Sequence, residues 1–102
     1  MIRAFLRDTC RIRPYLRNGM GQALYGEEEV RPCRLEDGVQ EKVVYMDPSG
    51  RILEEVSTAR LFTLGEPVPA GSQVRCGERC MRVLTCEEMV AFGRHHLEVL
   101  LR

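Results

Sequence analysis

Turn-forming residues recur at short intervals along the whole chain, and this spacing constrains the fold more than any other feature. Such signals stand at Asn18-Gly19, Gly21, Gly26, Asp37-Gly38, Asp47 to Gly50, Gly65 to Gly71 and Gly77. No window between them sustains helical periodicity for the ~10–12 residues of a long helix. Short segments separated by turns are typical of all-β sandwiches and barrels. We therefore expect one mainly all-β domain over residues 1–102, a small barrel or sandwich of about six to seven strands with long loops and at most one short helix.

The first part of the chain predicts two strands and a loop. One strand runs from about Thr9 to Tyr15 and meets Pro14, which cannot donate to a ladder, so the strand lies at an edge or ends there. Residues 18–29 are rich in glycine and then acidic, and they form the longest predicted loop. A second strand spans Val30–Leu35 and is interrupted by Pro32.

Two hairpins are predicted further along. Segments 39–46 and 51–64 are separated by Asp47-Pro48-Ser49-Gly50, in which proline suits the first central turn position. The second of these segments is too long for one strand, so we expect a bend near Ser57–Ala59. In the other hairpin Gly77-Glu78 fits a two-residue type II′ turn, and this register places Cys76 and Cys80 on opposite faces of the ribbon.

The C-terminal segment carries the only helix signal that we retain. Thr85-Cys86-Glu87-Glu88 resembles a capping box and predicts a helix of two turns at most. The last strand is predicted over His95–Arg102, with Leu97, Val99 and Leu101 on one face.

Composition excludes several classes of protein. The 102 residues have a formal net charge of zero, which argues against a general nucleic-acid binder that neutralises phosphates. No apolar run approaches the ~18 residues of a membrane span, and the first seven residues have no long apolar stretch after their charge. We expect neither a secretory signal nor a membrane partner.

The five cysteines stand at 10, 33, 76, 80 and 86, an odd number with irregular spacing. They predict reduced thiols that act as small core residues in a cytosolic, reducing compartment. The pair His95-His96 would point apart on a strand, and a zinc site could be assembled only from distant cysteines. We expect no metal and no cofactor.

No pattern of residues indicates catalysis. The serines at 49, 57 and 72 lie in ordinary turn or strand contexts without a Gly-x-Ser-x-Gly elbow, and Lys42 is the only lysine, so no phosphate-binding loop of the Gly-Lys type exists. We expect a protein that is not an enzyme and has no catalytic residues.

Charge is balanced overall but uneven along the chain. Residues 1–20 hold five arginines against Asp8, and residues 27–55 hold nine acids against four bases. Solvated faces are the simpler interpretation of these clusters. The alternative is a molecule with two poles that docks on copies of itself or on an unlike partner.

The order of these segments resembles the small head–tail connector proteins of tailed bacteriophages and prophages, also called head-closure, stopper or head–tail joining proteins. Gly65 to Val74 resembles the family's segment of proline followed by glycine–polar–x–valine. Cys76 to Val83 resembles its glycine hairpin, with Met81 where the family commonly has tyrosine, and Gly93 to Val99 resembles its closing strand. Upstream, Asp8 to Ile12 and Val30 to Leu35 fit the opening strands, so the resemblance covers most of the chain.

The resemblance implies a structural virion protein with a small β-barrel fold. Copies would form a ring below the portal and its adaptor, close the DNA-filled head and dock the tail. DNA would pass along the axis without sequence-specific contact. Such a minor capsid protein is made in the bacterial cytoplasm and ends at the head–tail interface of the virion.

Two sets of site residues follow as hypotheses. The segment Gly19–Glu29 would be a mobile loop near the axis, with Glu27, Glu28 and Glu29 facing the channel and repelling phosphate. The basic segment would contact an acidic subunit or partner through Arg3, Arg7, Arg11, Arg13 and Arg17.

Other functions remain open at this point. The chain could be another phage tail or tail-terminator protein, or a stand-alone SH3-like β-barrel that binds other proteins. A small redox or metal protein built on the cysteines is a third class.

Overall fold

The computed structural model describes residues 6–47, 49–91 and 94–102. Arg3, Pro48 and Gly93, on which some expectations rest, lie outside the described residues. Within these ranges the chain forms strands and no helix, and therefore no helix that could cross a membrane. The strands are β1 (Asp8–Arg13), β2 (Tyr15–Gly19), β3 (Gln22–Tyr25), β4 (Glu29–Asp37), β5 (Lys42–Met46), β6 (Ile52–Val56), β7 (Ala59–Thr63), β8 (Gln73–Cys76), β9 (Arg79–Ala91) and β10 (Arg94–Leu101).

Six strands close into a barrel in the order β1-β4-β7-β10-β9-β8, and every neighbouring pair is antiparallel. The remaining four form two separate hairpins, β2–β3 and β5–β6. The prediction of a small all-β barrel is confirmed. Closure removes the free sheet edges of the barrel, so further pairing is left to the hairpins.

The core fills the inside of the barrel with alternate residues of its strands. On β10, Leu97, Val99 and Leu101 are fully buried, as the alternation predicts. The cluster is completed from the other strands and from Val68 in the loop before β8. Its other members are Cys10, Ile12, Cys33, Ala59, Leu61, Val74, Met81 and Val83.

The loop predicted over residues 18–29 is wrong for most of its length, because β2 and β3 form a hairpin there. Met20 and Gly21 link the two strands with φ angles of 53° and 79°. Two successive positive φ values are the mark of a type I′ turn, whose twist matches that of the strands. The Asn18-Gly19 signal lies two residues before the actual turn, since Gly19 pairs with Gln22 inside the ladder.

Pro32 does not interrupt β4, which runs without a break from Glu29 to Asp37. The ladder between β4 and β7 ends with the pair Cys33 and Thr63. Pro32 lies beyond that end, where the missing N–H does not weaken this ladder. Its carbonyl accepts a 2.8 Å hydrogen bond from the Thr63 hydroxyl.

The two predicted hairpins are confirmed. Lys42 to Met46 pairs with Ile52 to Val56, and the expected bend separates β6 from β7 at Ser57 and Thr58. The buried Ser57 hydroxyl holds this bend by donating to the Val39 carbonyl at 2.6 Å and accepting from the Glu41 N–H at 3.0 Å. The turn between β8 and β9 has Gly77 at φ 61°, and its register pairs Cys76 with Arg79.

The short helix predicted from Thr85 is wrong. This segment is the middle of β9, where Thr85 pairs with Leu100 and Glu88 pairs with Leu97. A capping box is a local signal, and here the long ladder with β10 outweighs it. One bulge interrupts the ladder between Leu100 and Leu101.

Candidate functional site

The predicted basic segment is exposed on strands β1 and β2 and just before β1. Arg7, Arg11, Arg13 and Arg17 all have exposed side chains. Arg11 and Arg13 alternate with the buried Cys10 and Ile12, so they face outward from the barrel. Arg3, the fifth residue of the prediction, lies outside the described residues.

The predicted acidic triplet lies directly beside this basic segment. Glu28 forms an ion pair with Arg11 at 3.2 Å, and Glu29 forms one with Arg31 at 2.7 Å. The strand register explains the proximity, because Ile12 pairs with Glu29. The acidic triplet therefore lies beside the basic segment and not at an opposite pole, and Arg11, Glu28 and Glu29 are already paired within the chain.

Arginines from several strands converge on one groove of about 510 Å³ on the outside of the barrel. Arg11 and Arg75 are direct cross-strand neighbours, and Glu28 lies 3.2 Å and 4.0 Å from them. Like charges in such pairs destabilise a sheet, so an anion that lies between them is favoured. The groove is lined by Arg11, Arg13, Glu28, Gln73, Val74, Arg75, Cys80, Met81, Arg82 and Arg102.

The β5–β6 hairpin is fastened to the barrel by a polar cluster. Arg82 of β9 donates to both carboxylate oxygens of Glu55, at 2.5 and 2.7 Å, and to the hydroxyl of Tyr45 at 2.9 Å. The Tyr45 hydroxyl donates to Glu55 at 2.7 Å. The hydrogen bond from Arg82, followed by that from Tyr45, lowers the pKa of Glu55, whereas burial raises the pKa of Tyr45.

The other face of this hairpin is exposed, and it carries four apolar side chains beside the ion pair of Lys42 and Glu54. Val44, Met46, Ile52 and Val56 are between 42% and 65% exposed, and Met46 and Ile52 are cross-strand partners. Tyr45, on the anchoring face, is only 8% exposed. The hairpin therefore presents four apolar side chains that nothing in the described chain covers.

Within the described residues, hydrogen bonds hold the β2–β3 hairpin near its base. The Tyr15 N–H donates to the Ser72 hydroxyl at 2.9 Å, and the Gly26 N–H donates to the Pro14 carbonyl at 2.8 Å. Along this hairpin Leu16, Leu24 and the tip residue Met20 are exposed, Met20 completely. This hairpin also offers apolar side chains to solvent.

Three cysteines that are distant in the sequence meet inside the barrel. The sulfur atoms of Cys10, Cys33 and Cys76 all lie within 4.8 Å of one another. They come from β1 and from its two barrel neighbours, β4 and β8. The register brings them together, since Arg11 pairs with Arg75 on one side and Asp8 pairs with Cys33 on the other.

Hydrogen bonds couple the three thiols. Those from Cys10 and Cys33 lower the pKa of Cys76 to about 4. The pKa of Cys33 is raised, first by its hydrogen bond to Cys10 and then by Cys76 and burial. The hydrogen bond with Cys33 lowers the pKa of Cys10, but the bond to Cys76 and burial raise it to about 12. Within the cluster these contacts favour the thiolate form of Cys76 over those of Cys10 and Cys33.

This cluster is the feature that the sequence interpretation missed. The prediction that Cys76 and Cys80 face opposite ways is confirmed, since Cys80 is exposed and joins the arginine groove. The convergence of Cys76 with Cys10 and Cys33 depends on two long-range ladders. Only a correct alignment of β1 against both β4 and β8 would have revealed it.

Comparisons with protein-family models, with curated proteins and with solved structures found no match for the chain. The structure thus defines a class, a closed six-stranded barrel with two external hairpins. Any function must be argued from the groove, the hairpins and the thiols.

Proposed function

We propose that the chain is a structural protein of a tailed phage or prophage virion, one that forms a ring between the portal or adaptor and the tail. The observation that carries the proposal is the apolar surface of the two hairpins. Seven large apolar side chains stay exposed on them, while the barrel buries its own core. Exposed apolar surface of this kind marks sites of protein–protein contact.

A ring requires that one surface of each copy meets a different surface of its neighbour. The chain offers two unlike surfaces, the outer face of β5–β6 with its four exposed apolar side chains and the arginine groove. Both lie on a barrel whose own sheet edges are closed. The portal or adaptor, the tail proteins and further copies of the chain would be its partners, in a virion assembled in the bacterial cytoplasm.

We also propose that the acidic triplet, Glu27 to Glu29, faces the DNA channel. Glu28 and Glu29 are ion-paired within the chain, and Glu27 is exposed next to them. Carboxylates on a channel wall repel phosphate, so DNA would pass without adhering. Glu27 is the residue to change in a test, because its substitution leaves both ion pairs in place.

The proposal is tested by electron microscopy of particles produced with and without the chain. We expect particles without it to be tailless and to lose DNA, and particles with it to show a ring at the head–tail junction. Met46→Asp combined with Ile52→Asp should block incorporation, while the exposed barrel residue Val30 tolerates Val30→Asp. Particles with Glu27→Lys should eject DNA more slowly.

Tailed, DNA-filled particles in the absence of the chain would refute the connector role. If the hairpin variant and Val30→Asp were incorporated equally well, the hairpin would not be the contact. A chain absent from virions that binds a separate protein would instead support the stand-alone SH3-like interaction module.

A further inference from the structure

We propose that Cys10, Cys33 and Cys76 bind one soft, thiophilic d10 metal ion, Zn²⁺ or Cu⁺, inside the barrel. The site is built from three adjacent strands, and it is independent of the surfaces assigned to assembly. Cys10 and Cys33 are 1% and 0% exposed, and Cys76 is partly exposed at the end of β8.

The spacing of the sulfur atoms suits a single ion. Because the three atoms lie within 4.8 Å of one another, a point exists no more than about 2.8 Å from each, against a Zn–S bond of about 2.3 Å. The sulfurs would need to move inward by about 0.5 Å, which small rotations of the cysteine side chains provide.

The donor set selects the class of ion. Thiolates are soft ligands that bind Cu⁺ and Zn²⁺ in preference to Mg²⁺ or Ca²⁺. In the described part of the chain no histidine or carboxylate joins the three sulfurs. Cu⁺ accepts three sulfur ligands alone, whereas Zn²⁺ would take water as its fourth ligand.

The surroundings of the cluster provide both access and compensating charge. Cys76 precedes the exposed Gly77-Glu78 turn, so an ion can enter from that end of the barrel. Arg31, which pairs with Cys10 across the ladder, is 9% exposed and places a positive charge near the thiols. Three thiolates with a divalent ion carry one net negative charge, which this guanidinium, already ion-paired with Glu29, offsets only in part.

Metal binding would fasten the barrel where its first strand closes it. The three ligands belong to β8, β1 and β4, which are consecutive around the barrel. An ion that binds only the folded chain stabilises it. The reduced protein with metal should therefore unfold at a temperature several degrees higher than the metal-free protein.

The experiment uses the full chain, kept reduced with a phosphine and freed of metal. Zn²⁺ and Cu⁺ are titrated separately against chromophoric chelators, and the bound metal is measured by native mass spectrometry. We expect about one equivalent of at least one of the two ions, with the preferred ion identified by comparing the two titrations. Binding should weaken as the pH falls, because the thiols must lose their protons.

Cys76→Ser and Cys80→Ser form a matched pair on the two sides of the same turn. Cys76→Ser should weaken binding at least ~100-fold, because a direct ligand matters more than the outer-shell partners whose loss costs 10–100-fold. Cys80→Ser should bind as the unchanged chain does. Far-ultraviolet circular dichroism verifies that both variants are folded.

Three outcomes would overturn the proposal. They are the absence of stoichiometric binding of either ion, an equal loss of binding in the two variants, and unchanged metal binding in folded Cys76→Ser. None of these outcomes bears on ring formation, which depends on the outer surfaces. The metal site and the connector role can therefore fail separately.

Discussion

The interior of the barrel buries its apolar residues, whereas the two hairpins leave theirs exposed. Inside the barrel, Leu61, Leu97 and Leu101 have no exposed surface, whereas on the hairpins Met20, Val44 and Ile52 are more than half exposed. Burial of such residues is the main source of folding free energy. The barrel therefore accounts for the stability of the chain, and the hairpins are available for contact with other molecules.

The two hairpins also differ from each other. The β5–β6 hairpin lies against the barrel through Arg82, Glu55 and Tyr45, while β2–β3 is held near its base by Tyr15 and Ser72. A segment with few attachments opens at a lower free energy than the core. We expect amide hydrogens of β2–β3 to exchange sooner than those of β5–β6.

The largest effect is expected in the barrel. Leu61→Ala should lower the free energy of unfolding by about 2–5 kcal/mol, since it leaves a cavity in the fully buried core. Ile52→Ala on the hairpin, the matched control, should change it by no more than about 0.5 kcal/mol. Denaturant unfolding measures both. Equal losses would mean that the hairpin face is part of the core.

An intermediate effect is expected at the anchor of β5–β6. Since the pKa of Glu55 is lowered in the folded chain, its contribution to stability is present above the ordinary glutamate pKa and is lost as the pH falls through the lowered value. Glu55→Gln should lower stability at neutral pH by about 1 kcal/mol, a value that allows for solvent screening of this partly exposed pair.

The pH dependence separates this anchor from an ordinary surface charge. Thermal unfolding from pH 7 to pH 3 should show a smaller loss of stability in Glu55→Gln than in the unchanged chain. The control is Glu54→Gln. Glu54 lies next to Glu55 on β6 and forms an exposed ion pair with Lys42 of β5. If both variants followed the same curve, Arg82 and Glu55 would not fasten the hairpin.

The smallest effect is expected at the tip of β2–β3. Met20 has a φ of 53°, in the left-handed region that asparagine tolerates better than methionine. Met20→Asn should therefore slow amide hydrogen exchange in this hairpin. The expected gain in the free energy of opening the hairpin is about 0.5–1 kcal/mol. Gly21→Ala, at a φ of 79°, should accelerate exchange. Faster exchange in Met20→Asn would show that the methionine side chain stabilises the turn.

The sequence could predict the features that depend on residues close together in the chain. The hairpin at Gly77 is a local structure, so its turn residue determined the register of Cys76 with Arg79. The face of β10 followed from the alternation of Leu97, Val99 and Leu101. The turn at Met20 was missed because no residue-type rule places methionine at a positive φ.

The misplaced helix and the missed thiol cluster have a common cause. Thr85 to Glu88 carries a helical signal, but its conformation is decided by β10. The meeting of Cys10, Cys33 and Cys76 is decided by two ladders that join distant parts of the chain. The ring, its partners and the channel-facing role of Glu27 stay predictions, since they concern contacts between this chain and other molecules.

The position of β1 between β4 and β8 has a consequence for synthesis of the protein. Strand β1 can complete its pairing only when Gln73 to Cys76, far downstream in the sequence, has left the ribosome. Contacts so distant in sequence make folding slow. Until then one edge of β1 has unpaired backbone N–H and C=O groups. A nascent chain can therefore pair wrongly with another nascent chain on the same messenger RNA.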